Sequence, residues 1–136
     1  MHEAKSLVIP LSQQAKFFVT QCPKTDEEMK QMLSVPYSNA VGSVMYMMIC
    51  TRPDLAYAIS ILSRYMSNPG REHWEGLKGV LRYIKGSADC GLLFEKNGIF
   101  KGDPLRGYVD ADYAANIDCR RSQTGYIFTL YGTAIS

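Results

Sequence analysis

Residues 36–86 read PYSNAVGSVMYMMICTRPDLAYAISILSRYMSNPGREHWEGLKGVLRYIKG, and their periodicity decides the fold. Pro36 and Ser38 open a segment in which Val41, Val44, Met45, Met48 and Ile49 recur at helical spacing. Ala40, Tyr46 and Met47 add apolar atoms on the other faces, so this helix is expected to be largely buried. A second helix begins at Thr51-Arg52-Pro53-Asp54. Thr51 offers a capping hydroxyl, Asp54 follows three residues on, and Pro53 is tolerated in a first turn. Leu55, Ile59, Leu62 and Met66 form its stripe, and Asn68-Pro69-Gly70 ends it. A third helix runs from about Glu72 to Lys85, with Trp74, Leu77, Leu81 and Ile84 as core face and Gly86 as the stop. The pattern therefore predicts helices near 37–50, 53–66 and 72–85.

Downstream the period changes. Gly91 to Glu95 is a short strand-like run, and Asn97-Gly98 is the strongest short hairpin signal. Leu105 to Asp110 and Thr124 to Leu130 also read as strands, separated by the polar loop ADYAANIDCRRSQ. Upstream, residues 1–35 read as extended or irregular. One short helix is expected near Thr25, whose hydroxyl and Glu28 three residues on form a capping box. The fold class is α+β, in three stretches: 1–35 as lead-in, 36–86 helical, 87–136 stranded.

The chain has 136 residues, of which 46% are hydrophobic and 21% charged, so an ordinary folded domain is expected rather than a disordered chain. The net charge of +2 excludes a polybasic protein but leaves room for a local basic face. The longest apolar run, Val44 to Cys50, has seven residues, far short of the ~20 of a membrane span. No membrane partner and no signal peptide are expected. Cys22, Cys50, Cys90 and Cys119 lie too far apart for a dense disulfide framework or a C-x-x-C pair. They read as reduced thiols in an intracellular chain, cytoplasmic or nuclear and not secreted. His2 and His73 have no Cys or His at zinc spacing, so no structural zinc is expected.

Three features carry chemistry. On the third helix Arg71, Lys78, Arg82 and Lys85 fall within about 60° of one another at ~100° per residue. Such a row tracks a nucleic-acid backbone by releasing counterions from phosphates. The plainer alternative is a solvated helix face on which Glu75 pairs with Lys78. Asp110 and Asp112 share one side of a strand, about 7 Å apart, and their oxygens suit Mg²⁺. The alternative is two solvated aspartates at a strand end. Arg120-Arg121-Ser122 presents donors for phosphate, or is an exposed loop.

Residues 36–86 quoted above, with the following Ser87, resemble the end of the reverse transcriptase in copia-type LTR retrotransposon Pol polyproteins. GYVDADYAANIDCRRSQTGYIFTLYGTAIS, residues 107–136, is similar to the start of their ribonuclease H domain. The head MHEAKSLVIPL is similar to the stretch that precedes these helices. The motifs V-G-S-V-M-Y, C-T-R-P-D-L-A, L-R-Y-I-K-G and Y-V-D-A-D followed by R-R-S-x-T-G-Y occur in family order. The resemblance implies a helical part like a reverse-transcriptase thumb or connection, followed by an incomplete antiparallel ribonuclease H-like sheet. It also implies a parent role in RNA-directed DNA synthesis and transposition, Mg²⁺ as the parent's cofactor, and an RNA–DNA hybrid or template–primer together with the other Pol segments as partners.

The departures bear on activity. The family's polymerase site contains an Asp-Asp pair, and this sequence has none. Asp110 matches the first ribonuclease H aspartate and is the one residue carried over as catalytic and as a weak Mg²⁺ ligand. The family's next carboxylate lies in an S-T-x-E-A-E-Y helix beyond the matched residues. A Pol fragment without catalysis of its own, and with no functional cofactor, is therefore expected. The alternative is a small α+β nucleic-acid-binding or scaffold module.

Overall fold

The computed structural model describes residues 4–12, 15–94, 103–114, 116 and 118–135. The chain forms two compact units, Met1–Cys90 and Gly91–Ser136. Among the described residues the first holds α1 (Asp26–Leu33), α2 (Tyr37–Cys50), α3 (Ala56–Leu62) and α4 (Arg71–Gly86). The second holds a sheet of β1 (Leu105–Asp112), β2 (Gln123–Leu130) and β3 (Thr133–Ala134), in that order.

α1 begins where its capping box predicts. The Thr25 hydroxyl accepts the Glu28 N–H at 3.3 Å, and the Glu28 carboxylate accepts the N–H groups of Lys24 and Thr25 at 2.9 and 3.2 Å. Those backbone donors hold Glu28 below the usual carboxylate range.

α2 follows Pro36 and buries Tyr37, Val41 and Val44. It is not buried all round as expected: Tyr46 and Ile49 are 74% and 76% exposed. α3 and the turn before it cover one side of α2, so a helix apolar on every face keeps one face open. Tyr37 fixes its start, donating its hydroxyl to the Leu62 carbonyl at 2.9 Å. Burial pushes that phenol well above its usual range.

The second predicted helix is segmented. A 3₁₀ turn at Pro53–Leu55 leads into α3, and another at Ser63–Tyr65 follows it. Thr51 does not cap this helix: its hydroxyl points back to the Met47 carbonyl of α2 at 3.4 Å, and Asp54 is engaged by Arg52 instead. Leu55, Ile59 and Leu62 are buried as the stripe predicts, with Met66 packed at the core's edge.

α4 buries His73, Leu77 and Val80. Trp74, Leu81 and Ile84 are only partly buried, so the core face sits about 50° round the helix from the predicted one. The shift centres on His73. Its ring stacks on Tyr65 with centroids 3.9 Å apart, and its Nδ1 accepts the Gly70 N–H at 2.8 Å. Gly70 also lies against the 3₁₀ turn Val19–Gln21, where a Cβ would stand 1.9 Å from the Gln21 carbonyl oxygen.

In the second unit β1 and β2 pair antiparallel from Leu105↔Leu130 to Asp112↔Gln123. β3 was not foreseen. Tyr131 and Gly132, at φ 49° and 86°, make the two-residue turn that joins it to β2. The strand expected from Gly91 is absent over residues 91–94, where no strand pairs with the chain; the Leu93 carbonyl accepts the Thr133 hydroxyl at 2.7 Å instead. The Asn97-Gly98 hairpin lies outside the described residues. No described residue of this unit is buried, so the hydrophobic core belongs to the helical unit.

Substituting Gly70→Ala should destabilise the chain by roughly 1–3 kcal/mol, the usual cost of forcing a close-packed backbone apart. Urea unfolding followed by circular dichroism checks this, and an unchanged midpoint would contradict the Gly70–Gln21 contact.

Candidate functional site

α4 carries the four cations of the basic row, and each has a different environment. Arg71 is exposed in the first turn. It lines a cleft of about 770 Å³ together with Lys24, Glu28, Glu72, Trp74 and Glu75, a mixed set that favours neither charge sign strongly. Lys78 pairs with Glu75, the local ion pair the spacing foresees. Arg82 and Lys85 are engaged by the chain's own N-terminal segment. Arg82 Nε donates to the Lys5 carbonyl at 2.6 Å, and Lys85 Nζ donates to the Ala4 carbonyl at 3.0 Å. The row thus has an exposed half near Arg71 and a half covered by backbone oxygens.

A second polar cluster went unread in the sequence. Arg52, 6% exposed, stands at the turn between α2 and α3. Nε and Nη2 reach the two Asp54 carboxylate oxygens at 2.9 and 2.8 Å. Nη2 also donates to Ser87 Oγ at 2.7 Å, and Nη1 to the Ser87 carbonyl at 2.9 Å. The guanidinium lies 5.4 Å from the Tyr83 ring centroid, and the Tyr83 hydroxyl donates to Asp54 at 2.8 Å. The hydrogen bond from Arg52 holds Asp54 below the usual carboxylate range, and the bond to Asp54 raises Tyr83. The signal was present: Arg52 and Asp54 lie in C-T-R-P-D-L-A, and Tyr83 in L-R-Y-I-K-G. Nothing in either stretch says that they meet.

Asp110 and Asp112 lie on β1, paired with Gly125 and Gln123 and exposed to solvent. Gly125 leaves open space opposite Asp110. Asp110 Oδ1 accepts the Ala111 N–H at 2.9 Å. Among the described residues no three His, Cys, Asp or Glu side chains gather where they could hold a metal ion. Mg²⁺ gives up its water shell reluctantly, so this donor set does not fit a two-metal centre. Arg120-Arg121-Ser122 shapes the β1–β2 loop: Arg120 has φ 55° and donates its N–H to the Asn116 carbonyl at 2.7 Å, and the Arg121 carbonyl accepts from Asn116 at 3.1 Å.

No family model matches the chain, and no solved structure matches it. The retrovirus-related Pol polyprotein from transposon TNT 1-94 of Nicotiana tabacum is 50% identical across 100% of this chain. The secreted RxLR effector protein 161 of Plasmopara viticola is 48% identical over 77% of this chain and 72% of its own length. The chain is thus homologous to a short stretch of the retrovirus-related Pol polyproteins of plant transposons. The Pol polyprotein from transposon RE2 of Arabidopsis thaliana is 44% identical over 69% of the chain. The chain spans 10% of the TNT 1-94 polyprotein and 6% of RE2.

The secreted relative overturns one expectation. Cysteine usage and the first residues suggested an intracellular chain that is not secreted, yet a relative 48% identical to it is a secreted effector. Sparse cysteines reflect a core that needs no disulfides; they do not report a compartment. None of the four cysteines here forms a disulfide.

Arg52→Met should cost this chain about 2–4 kcal/mol, below the full cost of breaking a buried ion pair because the Asp54 side chain is 40% exposed. Because its folded-state pKa is lowered, Asp54 contributes stability that is complete above the unfolded value of ~4 and fades as pH falls through that value and below. Thermal melts between pH 7 and 2.5 should show that Asp54→Asn removes part of the acid sensitivity. An Asp54→Asn chain with the wild-type pH profile would contradict the network.

Proposed function

We propose that the chain is the stretch of a transposon Pol polyprotein in which the last helices of the reverse transcriptase pass into the first strands of the ribonuclease H. In this reading α4 lies along the sugar–phosphate backbone of an RNA–DNA hybrid or template–primer. One observation carries it: Arg71, Lys78, Arg82 and Lys85 share one side of α4, while His73, Leu77 and Val80 bury the other. A rigid helix with cations turned away from its core contacts phosphates without reading bases, so binding is weak and indifferent to sequence. RNA-directed DNA synthesis and removal of the RNA strand are assigned to the whole polyprotein.

Fluorescence anisotropy with a labelled RNA–DNA hybrid tests the interface. Affinity should fall steeply with salt, by a log–log slope of about −0.9 for each phosphate neutralised. Changing all four cations to Gln should abolish binding. Binding that survives this change would remove α4 as the contact surface.

Asp110 occupies the position of a ribonuclease H aspartate but lacks companions among the described residues. Incubating the hybrid with the chain in Mg²⁺ and then Mn²⁺ should give no cleavage above background. Cleavage that disappears in Asp110→Asn would establish a working nuclease site and overturn this part of the reading.

A second reading is favoured by the secreted effector, of which the chain covers 72%. In this reading the chain is a small α+β binding module outside a polyprotein. Sequencing the flanking coding region separates the two: an open frame continuing into palm and ribonuclease H sequence supports the first, and a closed frame the second.

A further inference from the structure

We propose that residues 4–11 are a strap that occupies the C-terminal half of the α4 basic row and is displaced by a polyanion. This deepens the nucleic-acid reading above and rests on it. The strap runs antiparallel along α4, and polar contacts among the described residues hold it. The Leu7 N–H donates to the Arg82 carbonyl at 3.4 Å, and Arg82 and Lys85 donate to the carbonyls of Lys5 and Ala4.

Two glycines seven residues apart on α4 make room for it. Seven residues are close to two turns, so Gly79 and Gly86 share one side of the helix, beside the cations. A Cβ at Gly86 would come within 2.6 Å of Ser6 Cβ and 3.3 Å of the Leu7 carbonyl oxygen. A Cβ at Gly79 would sit 3.8 Å from Leu7 Cδ1. A larger residue at Gly86 would lift the strap from the helix, whereas a Cβ at Gly79 fits at ordinary contact distance.

The chemistry of the contact makes it exchangeable. In their contacts with residues 4 and 5, Arg82 and Lys85 donate to neutral carbonyl oxygens, whereas a phosphate offers them a full charge and stronger, charge-assisted hydrogen bonds. Leu11 packs against the hydrophobic core at one end of the strap, but between it and the cations little apolar surface is shielded: Leu7, Val8 and Ile9 remain 36%, 92% and 54% exposed. With the strap seated, Arg71 and Lys78 are the members of the row that its carbonyls do not engage. With it displaced, all four cations face the ligand, so the number of phosphates neutralised rises by two.

Two variants of the full chain test this, one on each side of the contact. Gly86→Val crowds the strap off the helix without touching a cation. Leu7→Pro removes the N–H that anchors it and leaves α4 unchanged. Circular dichroism verifies that both remain folded. In anisotropy titrations with the RNA–DNA hybrid, both should bind about tenfold more tightly at low salt, with a log–log salt slope steeper by about 1.8. Wild-type affinity and slope in both variants, with the wild type itself binding through α4, would overturn the strap and leave the interface standing.

Inorganic polyphosphate gives a readout independent of the hybrid. Added to the wild-type chain, it should speed hydrogen exchange at the Leu7 amide. Faster exchange without hybrid binding would uphold the strap and defeat the nucleic-acid reading. Unchanged exchange at saturating polyphosphate would overturn the strap.

Discussion

The helical unit depends on one buried cation. Arg52 cannot leave water without partners, because an unpaired guanidinium in a protein interior costs several kcal/mol. Its solution is local and distant together: a two-oxygen grip on Asp54 two residues away, and two bonds to Ser87 at the far end of α4. The fork geometry of arginine makes this possible; a lysine ammonium would not span both partners. The α2–α3 turn is thereby tied to the C-terminus of α4, across 35 residues of sequence. Tyr83 closes the arrangement by contacting both members of the pair.

The opposite end of α4 is held by different means. There His73 supplies both a cap for the helix start and a flat surface for Tyr65, and Gly70 admits the preceding 3₁₀ turn at close range. The helix that carries the basic row is therefore restrained at both ends. A cation on it is presented at a fixed angle, which suits a helix that meets a regularly spaced phosphate chain. Three glycines on α4 also mark where other segments come close: Phe17 over Gly76, Leu7 and Pro10 near Gly79, Ser6 over Gly86.

The stranded unit is built on another plan. Its hairpin register is complete over eight pairs, yet every position of β1 is exposed. Backbone pairing and turn chemistry set its geometry, with Tyr131-Gly132 and Arg120 at positive φ shaping the two reversals. Asp110 is held on a regular strand opposite Gly125, and its position owes nothing to a surrounding core.

Much was legible in the sequence because it is local. Helical periodicity located α2, α3 and α4; the Thr25–Glu28 box started α1; enrichment in Val, Ile, Tyr and Phe found β1 and β2. The clustering of Arg71, Lys78, Arg82 and Lys85 needs only 3.6 residues per turn. What tertiary structure alone decided depends on partners far away in sequence. Periodicity ranks His73 as polar and Trp74 as core, but stacking on Tyr65 buried the first and left the second half open. Asp54 reads as a helix cap, but Arg52 and Tyr83 claimed it. Arg82 and Lys85 read as free cations, but carbonyl oxygens nearly eighty residues upstream reached them. A sequence states which groups need hydrogen bonds and which surfaces need burial; the competition among all candidate partners is settled only when the chain folds.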